Sequence, residues 1–131
     1  MLFRSRFVVD LPGRLTPDEV RATLAASDAF VAPATMESFG IAALEARTAG
    51  LPVLAYSSTG IRSFVRDGVE GLLADDDRAM VAAMARIASD DALRRRIADN
   101  NASTEPEQSW PHVLETAERL YVEAGRATAR P

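Results

Sequence analysis

The sequence predicts an α/β fold: a parallel sheet of about four short strands with helices on its faces. Three observations carry that expectation. Short apolar runs recur along the chain, separated by stretches of helical periodicity. The runs do not alternate in polarity, as suits strands covered on both faces. Gly, Pro and Asp mark the joints between the two kinds of segment.

Taken in order, Phe7-Val8-Val9-Asp10 is the first strand candidate. Thr16-Pro17-Asp18-Glu19 opens a helix, with Thr16 as cap, Pro17 at the first helical position and Glu19 closing a capping box. Val20 and Leu24 lie one turn apart on its buried face. Ala29-Phe30-Val31-Ala32 is the second strand, ended by Pro33. The loop from Ala34 to Phe39 leads into a helix over residues 40–49, which Gly50 stops and Pro52 cannot continue. Val53-Leu54-Ala55-Tyr56 is the third strand. A polar turn at Ser57-Ser58-Thr59-Gly60 then enters a short helix through Phe64 and Val65. Asp67-Gly68 turns the chain into the fourth strand, Gly71-Leu72-Leu73-Ala74. Two or three helices follow. After Asp75-Asp76-Asp77, which reads as a helix cap, Met80, Met84 and Ile87 form a core stripe. Arg94-Arg95-Arg96 reads as a solvated helix face, and residues 100–108 are the one candidate linker. The last helix, after Pro111, carries Val113, Ala117, Leu120 and Ala124 at helical spacing.

Composition narrows the functional classes. The 131 residues are 47% hydrophobic and 26% charged, an ordinary globular balance with enough apolar content for a core. A net charge of −4 argues against a general nucleic-acid binder, because there is no basic surplus to neutralise phosphates. Every one of the 15 basic residues is Arg, so no lysine is present to grip a phosphate. With no Cys and a single histidine, His112, disulfides and thiolate or His-rich metal sites are excluded. No apolar run approaches a membrane span, and the first residues do not read as a signal peptide. The expected location is cytoplasmic, peripheral to the inner membrane at most.

The segment that carries chemistry is Ala34-Thr35-Met36-Glu37-Ser38-Phe39-Gly40. It leaves the carboxyl end of a strand in an open parallel sheet, where ligands bind. The first amides of the helix it enters lack partners within that helix and sit at the positive end of its dipole. Phe39, Gly40 and Ile41 are therefore placed to offer N–H groups to an anion or to sugar oxygens. Glu37 and Glu45 flank the same mouth. Ionised carboxylates only accept hydrogen bonds, so the pair suits a hydroxyl-rich ligand such as a sugar or a ribose diol. Both would repel a diphosphate, so a cation has to offset them, and no neighbouring residue supplies one.

Pro33-Ala34-Thr35-Met36-Glu37-Ser38-Phe39-Gly40-Ile41-Ala42-Ala43-Leu44-Glu45-Ala46, with Ala49-Gly50-Leu51-Pro52-Val53 in register behind it, closely resembles the E-x7-E region of glycosyltransferase family 4, the glycosyl transferases group 1. Thr59-Gly60 and Asp67-Gly68-Val69-Glu70-Gly71 are similar to the family's later glycine turns. Val8 to Arg14 is similar to its strand-then-Gly-Arg segment, and Ser109-Trp110 to the start of its terminal crossover helix. The resemblance covers nearly the whole chain. It implies the C-terminal half-domain of a GT-B fold: a partial Rossmann-like domain over residues 1–105 and a C-terminal helix over 106–131. It implies an enzyme that transfers sugar from a nucleotide diphosphate sugar with retention. It gives Glu37 the catalytic contact to hydroxyls of the transferred sugar. Ser38 and the amides of Phe39, Gly40 and Ile41 would bind sugar and diphosphate, and Glu45 the ribose, with Arg14 and Leu15 bordering the base. No metal or other cofactor is expected. The implied partners are the sugar nucleotide and an N-terminal acceptor-binding half that carries the family's Arg and Lys for the diphosphate. The sequence departs from the family pattern at Arg62-Ser63, where Pro-Glu is usual. A non-catalytic nucleotide-binding or interaction module and an inactive truncated product are the rival readings. Strand 29–32 lacks the family's two central strands beside it. Strand 7–10 is expected to fill that edge, with self-association through the exposed edge as the alternative.

Overall fold

A computed structural model describes residues 9–128. The elements are α1 (Pro17–Ala25), β1 (Phe30–Ala32), α2 (Ile41–Thr48), β2 (Val53–Tyr56), a 3-10 turn (Gly60–Ser63), β3 (Gly71–Ala74), α3 (Asp77–Ser89), α4 (Asp91–Ser103) and α5 (Trp110–Thr128). Local chemistry sets the boundaries. Both halves of the Thr16–Glu19 capping box are formed at α1. The Asp76 carboxylate accepts from the Ala79 amide at 2.7 Å, and Asp90 from Leu93 at 2.9 Å, which caps α3 and α4.

The strands are parallel, in the order β1-β2-β3. Phe30 pairs with Val53, and Val53 in turn with Gly71. Side chains alternate between two layers, as strand geometry requires. Val53 and Ala55 of β2 join Ala43 and Ala46 of α2, Leu51, and Ile61, Phe64 and Val65 after β2, with Phe30, Ala32 and Leu24 packed against them. Leu54 and Tyr56 face the other way, onto Met80 and Ile87 of α3 and Leu93 and Ile97 of α4. Such a sheet, with helices on both faces, is the expected α/β, Rossmann-like half-domain.

Three expectations need correction. The sheet has three strands among the described residues, not four. Phe7 and Val8 lie outside those residues, and Val9 and Asp10 are exposed and outside the sheet. A strand parallel to β1 would need the connecting helix to lie firmly on the sheet, yet α1 fully buries no residue. The stripe on α3 is also incomplete. Met80 and Ile87 are buried, but Met84 is 46% exposed because the sheet of the described residues ends at β1 and none of them covers it there. Met84 instead lines an open cavity of about 420 Å³ with Val31, Leu54 and Ile87. Finally, the expected linker begins inside α4. Asn101 is buried, and its amide nitrogen donates to Leu51 O at 2.8 Å and Glu70 O at 2.9 Å, so that part of 100–108 is core.

Candidate functional site

The loops that leave β1 and β2 meet at the carboxyl edge of the sheet. The Gly60 amide donates to the Glu37 carbonyl at 2.9 Å. At Gly60 the contact is so close that a Cβ would lie 1.7 Å from the Ser38 carbonyl oxygen. Gly40, at φ +87°, is left-handed, and a Cβ there would meet Ile61 Cγ1 at 2.5 Å. The two glycines thus interlock the loops. The space beside the Gly40 α-carbon is filled by Ile61, and the close approach at Gly60 is to backbone.

At the mouth of α2 the Glu37 carboxylate already occupies part of the amide array. One oxygen accepts from Phe39 N at 3.1 Å and from Gly40 N at 2.9 Å. These charge-assisted bonds place a negative group where the helix dipole favours one. Ile41 begins the helix, 67% exposed. The Phe39 ring packs against Phe64 with centroids 5.5 Å apart, leaving its backbone at the rim. Glu45, one turn along, is exposed, and its carboxylate has no hydrogen bond or ion pair among the described residues. Glu37, Ser38, Phe39, Gly40, Ile41 and Glu45 therefore lie along one loop and one helical turn. Arg14 is exposed and Leu15 partly buried, and no hydrogen bond or ion pair ties either to that loop. At the neighbouring strand end, Tyr56 donates to Asp77 at 2.5 Å, which pushes the phenol up from its ordinary value, with burial adding to the shift.

One constellation was not anticipated. Arg47, in the last turn of α2, is buried, and its Nη2 lies 3.7 Å from the carboxylate of Glu70, itself 1% exposed. Glu70 accepts from the Arg66 backbone at 2.8 Å and from its guanidinium at 2.5 to 3.2 Å. Burial alone would push the Glu70 carboxyl up. The bonds from Arg66 and the charges of Arg66 and Arg47 outweigh burial and hold it below the ordinary range. Burial likewise pushes the Arg47 guanidinium down, and Glu70 opposes the shift. Arg47 Nε is buried with no hydrogen-bond partner, an omission that costs about 1–3 kcal/mol. A polar cavity of about 280 Å³ adjoins the cluster, lined in part by Thr104, Glu105 and Glu107. The four-residue spacing of Arg66 and Glu70 was the one signal in the sequence. The partner on α2 is 23 residues away from Glu70 along the chain and could not be read from it.

Comparison with known proteins decides the family. The model of the glycosyl transferases group 1 matches residues 7–104. This chain belongs to that family. Among its relatives, a D-inositol 3-phosphate glycosyltransferase of Actinosynnema mirum is 37% identical over 129 residues, covering 94% of this chain and 31% of the relative. A protein of the same name from Corynebacterium urealyticum is 34% identical over 107 residues, 80% of this chain and 25% of its own length. A third, from Nocardioides, is 34% identical over 109 residues, 82% and 24%. The group 1 chain thus spans about a quarter to a third of the curated relatives it matches. No helix among its described residues is long and apolar enough to cross a membrane.

Proposed function

We propose that this chain is the donor-binding part of a cytoplasmic glycosyltransferase that takes a nucleotide diphosphate sugar and transfers the sugar with retention. The observation that carries the reading is the mouth of α2. Two backbone amides there already hold a carboxylate, that of Glu37, and a second, unpartnered carboxylate, Glu45, stands one turn along. Amides that hold a carboxylate can hold a phosphate or a sugar oxygen. In this reading the donor takes over the amides of Phe39, Gly40 and Ile41, beside Ser38. The Glu37 carboxylate, released from them, turns to the hydroxyls of the transferred sugar. Glu45 accepts from the ribose diol, and Arg14 and Leu15 border the base.

The remaining length supplies the acceptor site and the cations for the diphosphate. The name shared by the relatives makes D-inositol 3-phosphate the first acceptor to assay. Two surfaces are open among the described residues for that other part: the outer side of β1 above its cavity of about 420 Å³, and the exposed apolar stripe of α5. Without it, the β1 edge is expected to recruit a second copy of the chain. Light scattering across a dilution series checks this, and a strict monomer at every concentration would count against it.

Calorimetric titration tests the division of labour, using a nucleoside diphosphate and the matching sugar nucleotide on a protein that joins this chain to the missing part. Glu45→Gln should weaken both ligands by about tenfold or more, the loss of one charge-assisted bond. Glu37→Gln should spare the free nucleotide and weaken the sugar donor. Equal losses for both ligands in both variants would sink the assignment. The isolated chain should show no turnover above a Glu37→Ala control.

A further inference from the structure

We infer that Arg47 is a positioning residue for the donor site: its buried charge fixes the rotation of α2 and so the direction in which Glu45 is presented. The inference rests on the reading of Glu45 as a nucleotide contact. Glu45 and Arg47 are two residues apart, so they leave the helix on opposite sides, roughly 200° apart. Glu45 is exposed while the Arg47 side chain is only 8% exposed. The other fully buried side chains of α2 are Ala43 and Ala46. Alanines pack without keying a helix to one angle, and Leu44 is only partly buried against the core, so Arg47 is the long side chain that ties the azimuth of α2 to a fixed charge.

The far end of the contact is rigid. The Glu70 carboxylate is held by the Arg66 backbone amide at 2.8 Å. The Glu70 carbonyl accepts from Val53 N at 3.3 Å and from the Asn101 side chain at 2.9 Å. Glu70 is therefore tied to β2 and α4 at the start of β3. Arg47 adds little net stability: the desolvation of its buried guanidinium, whose Nε has no partner among the described residues, offsets its attraction to Glu70. Replacing Arg47 by Met leaves Glu70 paired with Arg66. Stability and ligand affinity should then move independently, which a merely structural residue would not allow.

The test uses the protein that joins this chain to the missing part, with UDP, GDP and ADP as calorimetric probes and thermal melting alongside. Arg47→Met should melt at the original temperature or above it and yet bind the preferred nucleotide about tenfold more weakly. Arg47→Lys, which keeps the cation, should recover part of the loss. Glu45→Gln is the control for the underlying reading. If none of the nucleotides binds the unaltered joined protein, or if Glu45→Gln leaves binding unchanged, the donor reading fails and takes the role of Arg47 with it. If Glu45→Gln weakens binding while Arg47→Met does not, the donor reading stands and the inference is overturned. A parallel fall in melting temperature and affinity in Arg47→Met, absent in Arg47→Lys, would likewise reduce Arg47 to a structural part.

Discussion

Helices α4 and α5 follow one another in the chain and use their apolar residues in opposite ways. The 13-residue α4 is mostly polar, yet it buries Leu93, Ile97 and Asn101 against the sheet. The 19-residue α5 has the more regular apolar stripe and fully buries none of its described side chains. Trp110 is 76% exposed, Leu120 56% and Tyr121 80%. Amphipathicity therefore marks an apolar face without saying what covers it. A few well-placed contacts hold α4 in the core, whereas the stripe of α5 stays exposed among the described residues.

Mutation can break this contrast, and the largest effect is expected in α4. Ile97 is fully buried, so Ile97→Ala should cost about 2–5 kcal/mol in chemical denaturation. A loss below 1 kcal/mol would mean that α4 is not core. Asn101→Ala comes next. It strips the Asn101 donor from Leu51 O and leaves Glu70 O with Val53 N alone, and an unpaired buried acceptor at Leu51 should cost about 1–3 kcal/mol.

A smaller effect should appear with acid. The Glu70 carboxyl titrates lower in the folded than in the unfolded chain, so the unfolded chain takes up the proton first. That contribution is complete above the ordinary glutamate range and drains away as pH falls below about 4.5. Glu70→Gln should flatten this part of the stability profile, and an unchanged acid limb would show that Glu70 is not its source. The smallest effect belongs to α5. Leu120→Ala should stay within about 0.5 kcal/mol of the unaltered chain, and a larger loss would show that α5 already packs on this chain.

Much of the fold was legible from the sequence because its signals are local. The strands at 53–56 and 71–74 and the capping box at Thr16 have the bounds that hydrophobic runs and cap chemistry implied. The loop-to-helix segment around Glu37 was legible for the same reason, since a strand end, a glycine and a helix start are neighbours in the chain. The strand expected at 7–10 was not: Val9 and Asp10, its described part, lie outside the sheet. Strand-like residues pair only where a neighbour accepts their backbone bonds, and that neighbour is not local.

The sequence by itself determined the fold class, the element order, the family resemblance and the residues that line the loop after β1. The fold class, element order and loop follow from composition and local spacings, and the resemblance from the matched run between Pro33 and Val53. Tertiary structure decided the rest. It closed Gly60 onto Ser38 and Gly40 onto Ile61, loops about 20 residues apart in the chain. It turned Glu37 back onto the amides of Phe39 and Gly40, and brought Arg47 to Glu70. It left Met84 uncovered where the sheet stops. These outcomes depend on which surfaces meet when distant segments pack. A single sequence states what each segment can bury or bond, whereas only the packed chain fixes which of those options are taken.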